Sequence, residues 1–544
     1  MQNRTNDLVD FRIDAMQWVV RTPFAEPLRR TVIPHLGHLE AAGGEQVKQT
    51  VTRSVHRIEL AGQLVYVKHH RVRSLAEALK YLVLRSRASA EWAALREMAE
   101  RGLPVPRAVA LGERRVLGVF REAALITEAV EDAVPFNQAL DRRAGLLDDA
   151  ARLIRTLHDA HVHHRDLHGG NILVAGDALH LIDVHNVRIG PPVSKRERLA
   201  GAAQFLAALR PGGDREVQQR FIRAYLGPDA PGKELAAFAR GVAQGVVRNR
   251  ERRYASRAKR CLKRSTGFRH ELLEGLAVHR RADVPADHLL EAIARHRKQT
   301  GGPGGEGVLK RDHRARISVV ELPGGGRACV KEFIRHGLAR LGDLWRGSPA
   351  KRAWRGSHAC AVRGLGTPRA LAMAEAPDGR SFFVAEYLGG AEQLNDYVAD
   401  RCRPEPGGAA RRWHAFVRAA ADFVRRLHSH RLRHRDLSAK NILVREEDGG
   451  WAFDLVDVAD VRGGRAPSLG FRVANLGQLD QIYVRPARSD RLRFYRHYAR
   501  GRPELDRPEL LRRIDAISRA RHRHWLECGG REILEERRRQ GKPL

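Results

Sequence analysis

His164-Arg165-Asp166-Leu167-His168-Gly169-Gly170-Asn171 places a carboxylate just after a His-Arg pair and an amide shortly beyond it. The same frame returns at His434-Arg435-Asp436-Leu437-Ser438-Ala439-Lys440-Asn441, and both copies run on into Ile-Leu-Val, at 172–174 and 442–444. Reading outward, LHDAHVHHRDL (157–167) aligns without a gap with LHSHRLRHRDL (427–437). Further upstream, EWAALREMAERGLPVPRAVAL from Glu91 aligns position for position with AWRGSHACAVRGLGTPRALAM from Ala353. Two blocks repeated in the same order mean a duplicated domain, and two copies this long are tandem domains and not a solenoid.

Each block sits on a readable element. Leu64–Lys68, LVYVK, and Ala328–Lys331, ACVK, read as strands ending in lysine. Trp92, Leu95 and Met98 recur at helical spacing, and Gly102 and Pro104 stop that helix. Leu125–Thr127 and Phe382–Ala385 read as short strands leading into Glu128 and Glu386. Leu146, Leu147, Ala150, Leu153, Ile154 and Leu157 form an apolar helix stripe, repeated by Trp413, Phe416, Val417, Ala420, Val424 and Leu427. A β-rich half followed by an α-rich half predicts an α+β, two-lobed domain, twice.

The residues suit one chemistry. Phosphoryl transfer asks the protein to hold a nucleotide's phosphates, hold Mg²⁺ and aim a hydroxyl at the γ-phosphate of ATP. Asp166 is placed to take or orient the hydroxyl proton, with Asn171 and Asp183, at the end of the apolar run Leu181-Ile182, as metal ligands. Lys68 is the cation for the phosphates and Glu91 its partner; Glu128 and Glu386 close the strands beside the expected nucleotide site. The second copy offers Lys331, Asp436, Asn441 and Asp457. Each residue alone is weak evidence; their shared order, repeated, is not. His161, His163, His164 and His168 suggest a metal cluster at first sight but read better as a catalytic loop. His168 and Lys440 stand within reach of a bound phosphate or an acidic substrate.

These motifs resemble the protein-kinase-like superfamily, and within it the lipopolysaccharide core kinases, the Kdo and heptose kinase family. HHRDLHGGNILV, LIDVHNVRIG and RGLPVPRAVALGE carry the resemblance in the first copy; HRDLSAKNILV, LVDVADVRGG and RGLGTPRAL carry it in the second. The resemblance implies two bilobal domains and an ATP- and Mg²⁺-dependent kinase. It also implies an anionic glycolipid acceptor, phosphorylated on a Kdo or heptose hydroxyl at the inner face of the cytoplasmic membrane. Neither lysine follows a G-x-G-x-x-G loop, and neither metal loop reads D-F-G, which counts against an ordinary protein kinase. The stretch DLHGGN also resembles phosphotransferases acting on small molecules, so a protein or small-molecule acceptor is the competing reading. A pseudokinase scaffold is the non-enzymatic one.

The copies are unequal: Glu91 aligns with Ala353, so Lys331 lacks its helix carboxylate. Glu332 adjoins Lys331 on a strand and should face the other way. The first site is therefore expected to be the stronger catalyst, and the second weaker, specialised or regulatory.

Composition sets the outer limits. Apolar residues are 43% of the 544, ample for packed cores. The five cysteines form no C-x-x-C pair, so neither a zinc site nor a disulfide framework is indicated. The N-terminus lacks the apolar core of a signal peptide, and no run approaches the ~18 apolar residues of a membrane span. A net charge of +34 favours polyanionic partners. Aromatics at 6% argue against single-stranded nucleic acid, which needs stacking platforms. The basic run around Lys259, Arg260, Lys263 and Arg264 suits peripheral contact with an anionic membrane. The expected division is a first domain over 1–245, a basic helical extension over 246–300, and a second domain over 301–544 that begins at the breaker GGPGGEG and ends in an Arg-rich helical tail.

Overall fold

A computed structural model describes residues 7–541, except 51, 73–80, 82–84, 210–213, 303–304, 336–338, 402–407, 481–485 and 506. The chain forms two compact units, Met1–Arg250 and Glu251–Leu544. Each has a sheet-rich half followed by a helical half, the α+β two-lobed plan expected from the sequence.

In the first unit, β1 (Leu8–Ile13), β2 (Met16–Arg21), β3 (Glu45–Gln49), β4 (Arg53–Leu60), β5 (Gln63–Arg71), β6 (Ala108–Val116) and β7 (Val119–Glu128) form one sheet. Its order is β1-β2-β6-β7-β5-β4-β3. β5 shows why Lys68 faces where it does. Val65, Val67 and His69 are buried on one face, so alternation puts Tyr66, Lys68 and His70 on the other. Lys68 lies opposite Val55 of β4 and Leu125 of β7. Helix Arg87–Glu100 is capped by Ser86, whose side chain accepts from Ser89 N, and it buries Trp92, Leu95 and Met98 together with Glu91.

The second unit repeats the plan. Phe268–Leu273, Leu276–Arg281, Val308–Arg311, Ala315–Glu321, Arg327–Phe333, Ala370–Glu375 and Ser381–Glu386 form a seven-stranded sheet in the same order. Ala328, Val330 and Glu332 point into its core, leaving Cys329, Lys331 and Phe333 on the other face. Helix Pro349–Ala361 takes the place of Arg87–Glu100.

Here the expected division needs correcting. The segment 246–300 is not a helical extension throughout. Helix Gly232–Lys259 crosses the boundary, but Phe268–Leu273 and Leu276–Arg281 are the edge hairpin of the second sheet, and helix Ala286–Gly301 packs on that sheet. The breaker GGPGGEG joins this helix to the strand Val308–Arg311 inside the second unit; its Pro303 and Gly304 lie outside the described residues. Two features hid the hairpin. Arginine and histidine fill many of its positions while Leu276 and Val278 are buried, and its turn, Glu274-Gly275, carries positive φ at both residues (45° and 77°) without an Asn-Gly signature. The first unit opens on the same device, turned at Asp14-Ala15 (φ 49° and 61°).

The helical halves are pinned alike. His158 Nδ1 and the Tyr225 hydroxyl hydrogen-bond at 2.8 Å, and His428 Nδ1 and the Tyr498 hydroxyl at 2.7 Å. Burial holds His158 down at about 4 and His428 at about 3. Both are neutral in the fold and take up a proton only when the chain opens, so the unfolded state binds more protons between those values and the ordinary ~6.5. Stability should therefore fall as pH drops from about 6.5 toward 4, and His428→Gln should flatten that fall; thermal unfolding at pH 7 and pH 5 for the two proteins checks it.

Cys261, Cys329, Cys360 and Cys528 are free thiols, and Cys402 lies outside the described residues. Among the described residues no helix is long and apolar enough to cross a membrane.

Candidate active sites

Two short antiparallel strand pairs hold each catalytic loop. In the first unit, Val162–His164 pairs with Val187–Ile189, and Ile172–Ala175 with Ala178–Leu181. The loop bearing Asp166 and the loop bearing Asp183 are thus adjacent crossings between the same two sheets. Arg165 N donates to Asn186 O (3.1 Å) and Ile182 N to Asn171 O (2.9 Å), stitching them together. His164 is structural, as expected from the sequence: its Nδ1 accepts from Asp166 N at 3.1 Å, and burial lowers it to about 4.

Asn171 Nδ2 donates to the Asp166 carbonyl at 3.0 Å, which leaves the amide oxygen as its ligand atom. Asp183 sits at φ 60°, a left-handed conformation that a non-glycine residue adopts at a cost and that recurs at functional loops. The His185 ring lies 2.7 Å from Asp183 Oδ1, and this hydrogen bond holds the carboxyl well below the usual range, with Lys68 and Arg53 adding their charge. Lys68 Nζ meets Glu91 Oε1 at 2.5 Å, with Glu91 almost wholly buried. Lys68, Glu91 and Asp183 therefore converge as the sequence predicts.

Glu91, Asp183 and His185 could each turn a ligand atom toward one point, and among the described residues they are the three-ligand cluster; the His161–His168 run forms none. Glu91 is already satisfied by Lys68, and a ring nitrogen suits Mg²⁺ poorly. The hard oxygens of Asp183 and Asn171 are the pair that fits Mg²⁺.

Two contributors escaped the sequence reading. His185 stands in the stretch LIDVHNVRIG, where no local pattern marks it as a partner of Asp183. Arg53 opens β4 after a turn that stands where a glycine-rich loop would be. Thr50 Oγ1 closes that turn by accepting from Arg53 N at 3.1 Å. Arg53 Nε is buried and, among the described residues, has no hydrogen-bond partner, and its charge reaches Asp183.

Glu128 and Glu386 end their strands as expected, but arginines hold their carboxylates: Arg21 Nη1 on Glu128 at 2.8 Å and Arg369 Nη1 on Glu386 at 2.6 Å.

The second site keeps the frame with altered contacts. Asn441 Nδ2 donates to Asp436 O (2.9 Å), Val456 N to Asn441 O (2.9 Å), and Asp457 repeats the left-handed φ at 54°. Lys331, lacking a helix carboxylate, pairs directly with Asp457 Oδ1 at 2.7 Å. Burial works against the charge on Asp457, yet Lys331 outweighs it and keeps the carboxyl below its ordinary value, with His434 and Lys440 contributing. Glu332 is fully buried on the far face near His296, Arg316 and Arg380, so it does not replace the missing glutamate.

The helix has also slimmed. Gly356 stands where the first copy has Ala94, and a Cβ there would lie 2.0 Å from the Val458 carbonyl of the metal loop. Gly356→Ala should lower stability by about 1–3 kcal/mol through overpacking against backbone. Thermal unfolding of the full chain checks this.

The sequence model of the lipopolysaccharide kinase (Kdo/WaaP) family matches residues 38–225 and again 348–498. Lipopolysaccharide core heptose(I) kinase WaaP of Pseudomonas aeruginosa is 29% identical over 239 residues, covering 40% of this chain and 88% of that protein. The 3-deoxy-D-manno-octulosonic acid kinase of Xanthomonas campestris pv. campestris is 35% identical over 150 residues, 26% of this chain and 60% of that one. A solved structure of WaaP in complex with acyl carrier protein aligns with a TM-score of 0.33 and 26% identity, over 43% of this chain and 98% of that chain.

Proposed function

Because this chain belongs to the lipopolysaccharide kinase (Kdo/WaaP) family, and is therefore a kinase, we infer that its first site moves the γ-phosphate of ATP to a Kdo or heptose hydroxyl of lipopolysaccharide core. The observation that carries the reading is the convergence of Lys68, Glu91 and Asp183, with the Lys68–Glu91 pair closed at 2.5 Å.

Lys68, held by Glu91, binds the α- and β-phosphates, and Arg53 adds a second cation. Asp166 faces the acceptor: the hydroxyl oxygen forms its bond to the γ-phosphorus as its proton passes to the Asp166 carboxylate, and ADP leaves with the electrons of the broken bond. Gln204 Nε2, bonded to the Arg165 carbonyl at 3.0 Å and 3.4 Å from Asp166 Oδ1, keeps that carboxylate turned toward the cleft. Asp183 and Asn171 would hold Mg²⁺, which supplies neutralisation of phosphate charge.

The second site is the weaker or more specialised one, because Lys331 spends its charge on Asp457. Both sites take an anionic glycolipid. The exposed Lys259, Arg260, Lys263 and Arg264 favour peripheral docking on an anionic inner leaflet, at about 1 kcal/mol per charge.

Incubation with labelled ATP, lipopolysaccharide core and a general protein acceptor tests the reading. Label should enter the core fraction; label confined to the protein acceptor would sink the sugar reading.

A further inference from the structure

The catalytic aspartates of the two sites have different neighbours. In the first unit a neutral amide, Gln204 Nε2, lies 3.4 Å from Asp166 Oδ1. In both sites this amide bonds the carbonyl before the aspartate, Gln204 Nε2 to Arg165 O at 3.0 Å and Gln478 Nε2 to Arg435 O at 2.9 Å, but in the second a guanidinium contacts the aspartate. Arg521 Nη2, from helix Pro508–Trp525, lies 3.4 Å from Asp436 Oδ1. Both partners are partly open to solvent, at 40% and 44% side-chain exposure, so the contact can be exchanged with a ligand. A second cation stands on the same loop: Lys440 is exposed where the first loop has Gly170, and its charge is felt at Asp457.

We propose that Arg521 and Lys440 make the second site specific for an acceptor that already carries an anionic group, a phosphate monoester or a carboxylate, close to the hydroxyl to be phosphorylated. The proposal rests on the kinase reading of that site. Arg521 occupies the carboxylate edge that would receive the hydroxyl proton. An acceptor with no charge leaves it there. An anionic acceptor draws the guanidinium onto itself in a bidentate pair, which anchors the sugar and frees Asp436. The first loop has glycines at 169 and 170, and among the described residues no arginine or lysine lies on its aspartate, whose neighbour is the His168 ring 3.8 Å away, so it makes no such demand. A reaction adding an acidic group must then precede the second phosphorylation, and transfer at the first site is of that class.

The test uses the full chain with the first site silenced by Asp166→Asn. Three forms of deacylated core oligosaccharide serve as acceptors: with heptose phosphates, phosphatase-treated with Kdo carboxylates intact, and phosphatase-treated with those carboxylates reduced. At least one charged form should be preferred, and which one identifies the anion. Arg521→Gln should raise KM for that form about tenfold, the loss of one charge-assisted hydrogen bond, and should raise turnover of the uncharged form alone, because only there does the guanidinium stay on Asp436; Lys440→Gln should likewise raise KM for the charged form. A rise in kcat on all three forms would make Arg521 an inhibitory clamp and overturn the proposal, as would an equal KM effect on all three. If no form is phosphorylated, the kinase reading of the second site fails. Calorimetric titration of the phosphorylated and carboxylated oligosaccharides then decides the anion reading by itself: weaker binding of either to the Arg521→Gln chain supports it, and unchanged binding of both overturns it.

Discussion

Asp166→Ala in the full chain should lower phosphotransfer to unphosphorylated core acceptor by about 10²–10⁴-fold, the usual contribution of a positioned proton acceptor. Asp436→Ala should leave most of the total standing. The asymmetry follows from the neighbours. Asp166 is flanked by Gln204 and His168, whereas Asp436 is contacted by the Arg521 guanidinium, and Lys331 is tied to Asp457. Asp166 is partly exposed and its loop is held by backbone bonds, so the substitution should not unfold the protein. Total activity that survives Asp166→Ala and vanishes with Asp436→Ala would reverse the ranking of the two sites.

Glu91→Ala should weaken binding of ATP·Mg²⁺ at the first site by about tenfold to a hundredfold, since a hydrogen bond to a charged group contributes about 1.5–3 kcal/mol. Lys68 would lose its only carboxylate on the helix and turn to Asp183, the arrangement that Lys331 and Asp457 already show at 2.7 Å. The measurement is nucleotide titration of the full chain with the second site disabled by Lys331→Met. Glu91→Gln should fall between wild type and alanine. Unchanged affinity in Glu91→Ala would mean that Lys68 does not depend on the pair.

What could be read in advance, and what could not, divides on physical grounds. Lys68, Asp166, Asn171 and Asp183 were legible because local pattern fixes their setting: alternation decides the face of Lys68, and the loop motifs are contiguous. The absence of a partner for Lys331 was legible because a gapless alignment puts Ala353 opposite Glu91. Arg521 was hidden, since it lies 85 residues from Asp436 and only the packing of the tail helix brings them together. Arg53 was hidden because its neighbours in sequence carry no phosphate-binding signature. The hairpin Phe268–Arg281 was misread because its basic residues masked the alternation beneath them.

The thin face of helix Pro349–Ala361 sets how closely the metal loop of the second unit approaches it. With Gly356 on this helix, the Val458 carbonyl occupies the space that a Cβ there would need. A glutamate at 353 would enter a position as buried as that of Glu91, both 3% exposed, but would meet a Lys331 already paired with Asp457. The two copies thus draw the lysine's partner from different elements, the helix in the first and the metal loop in the second.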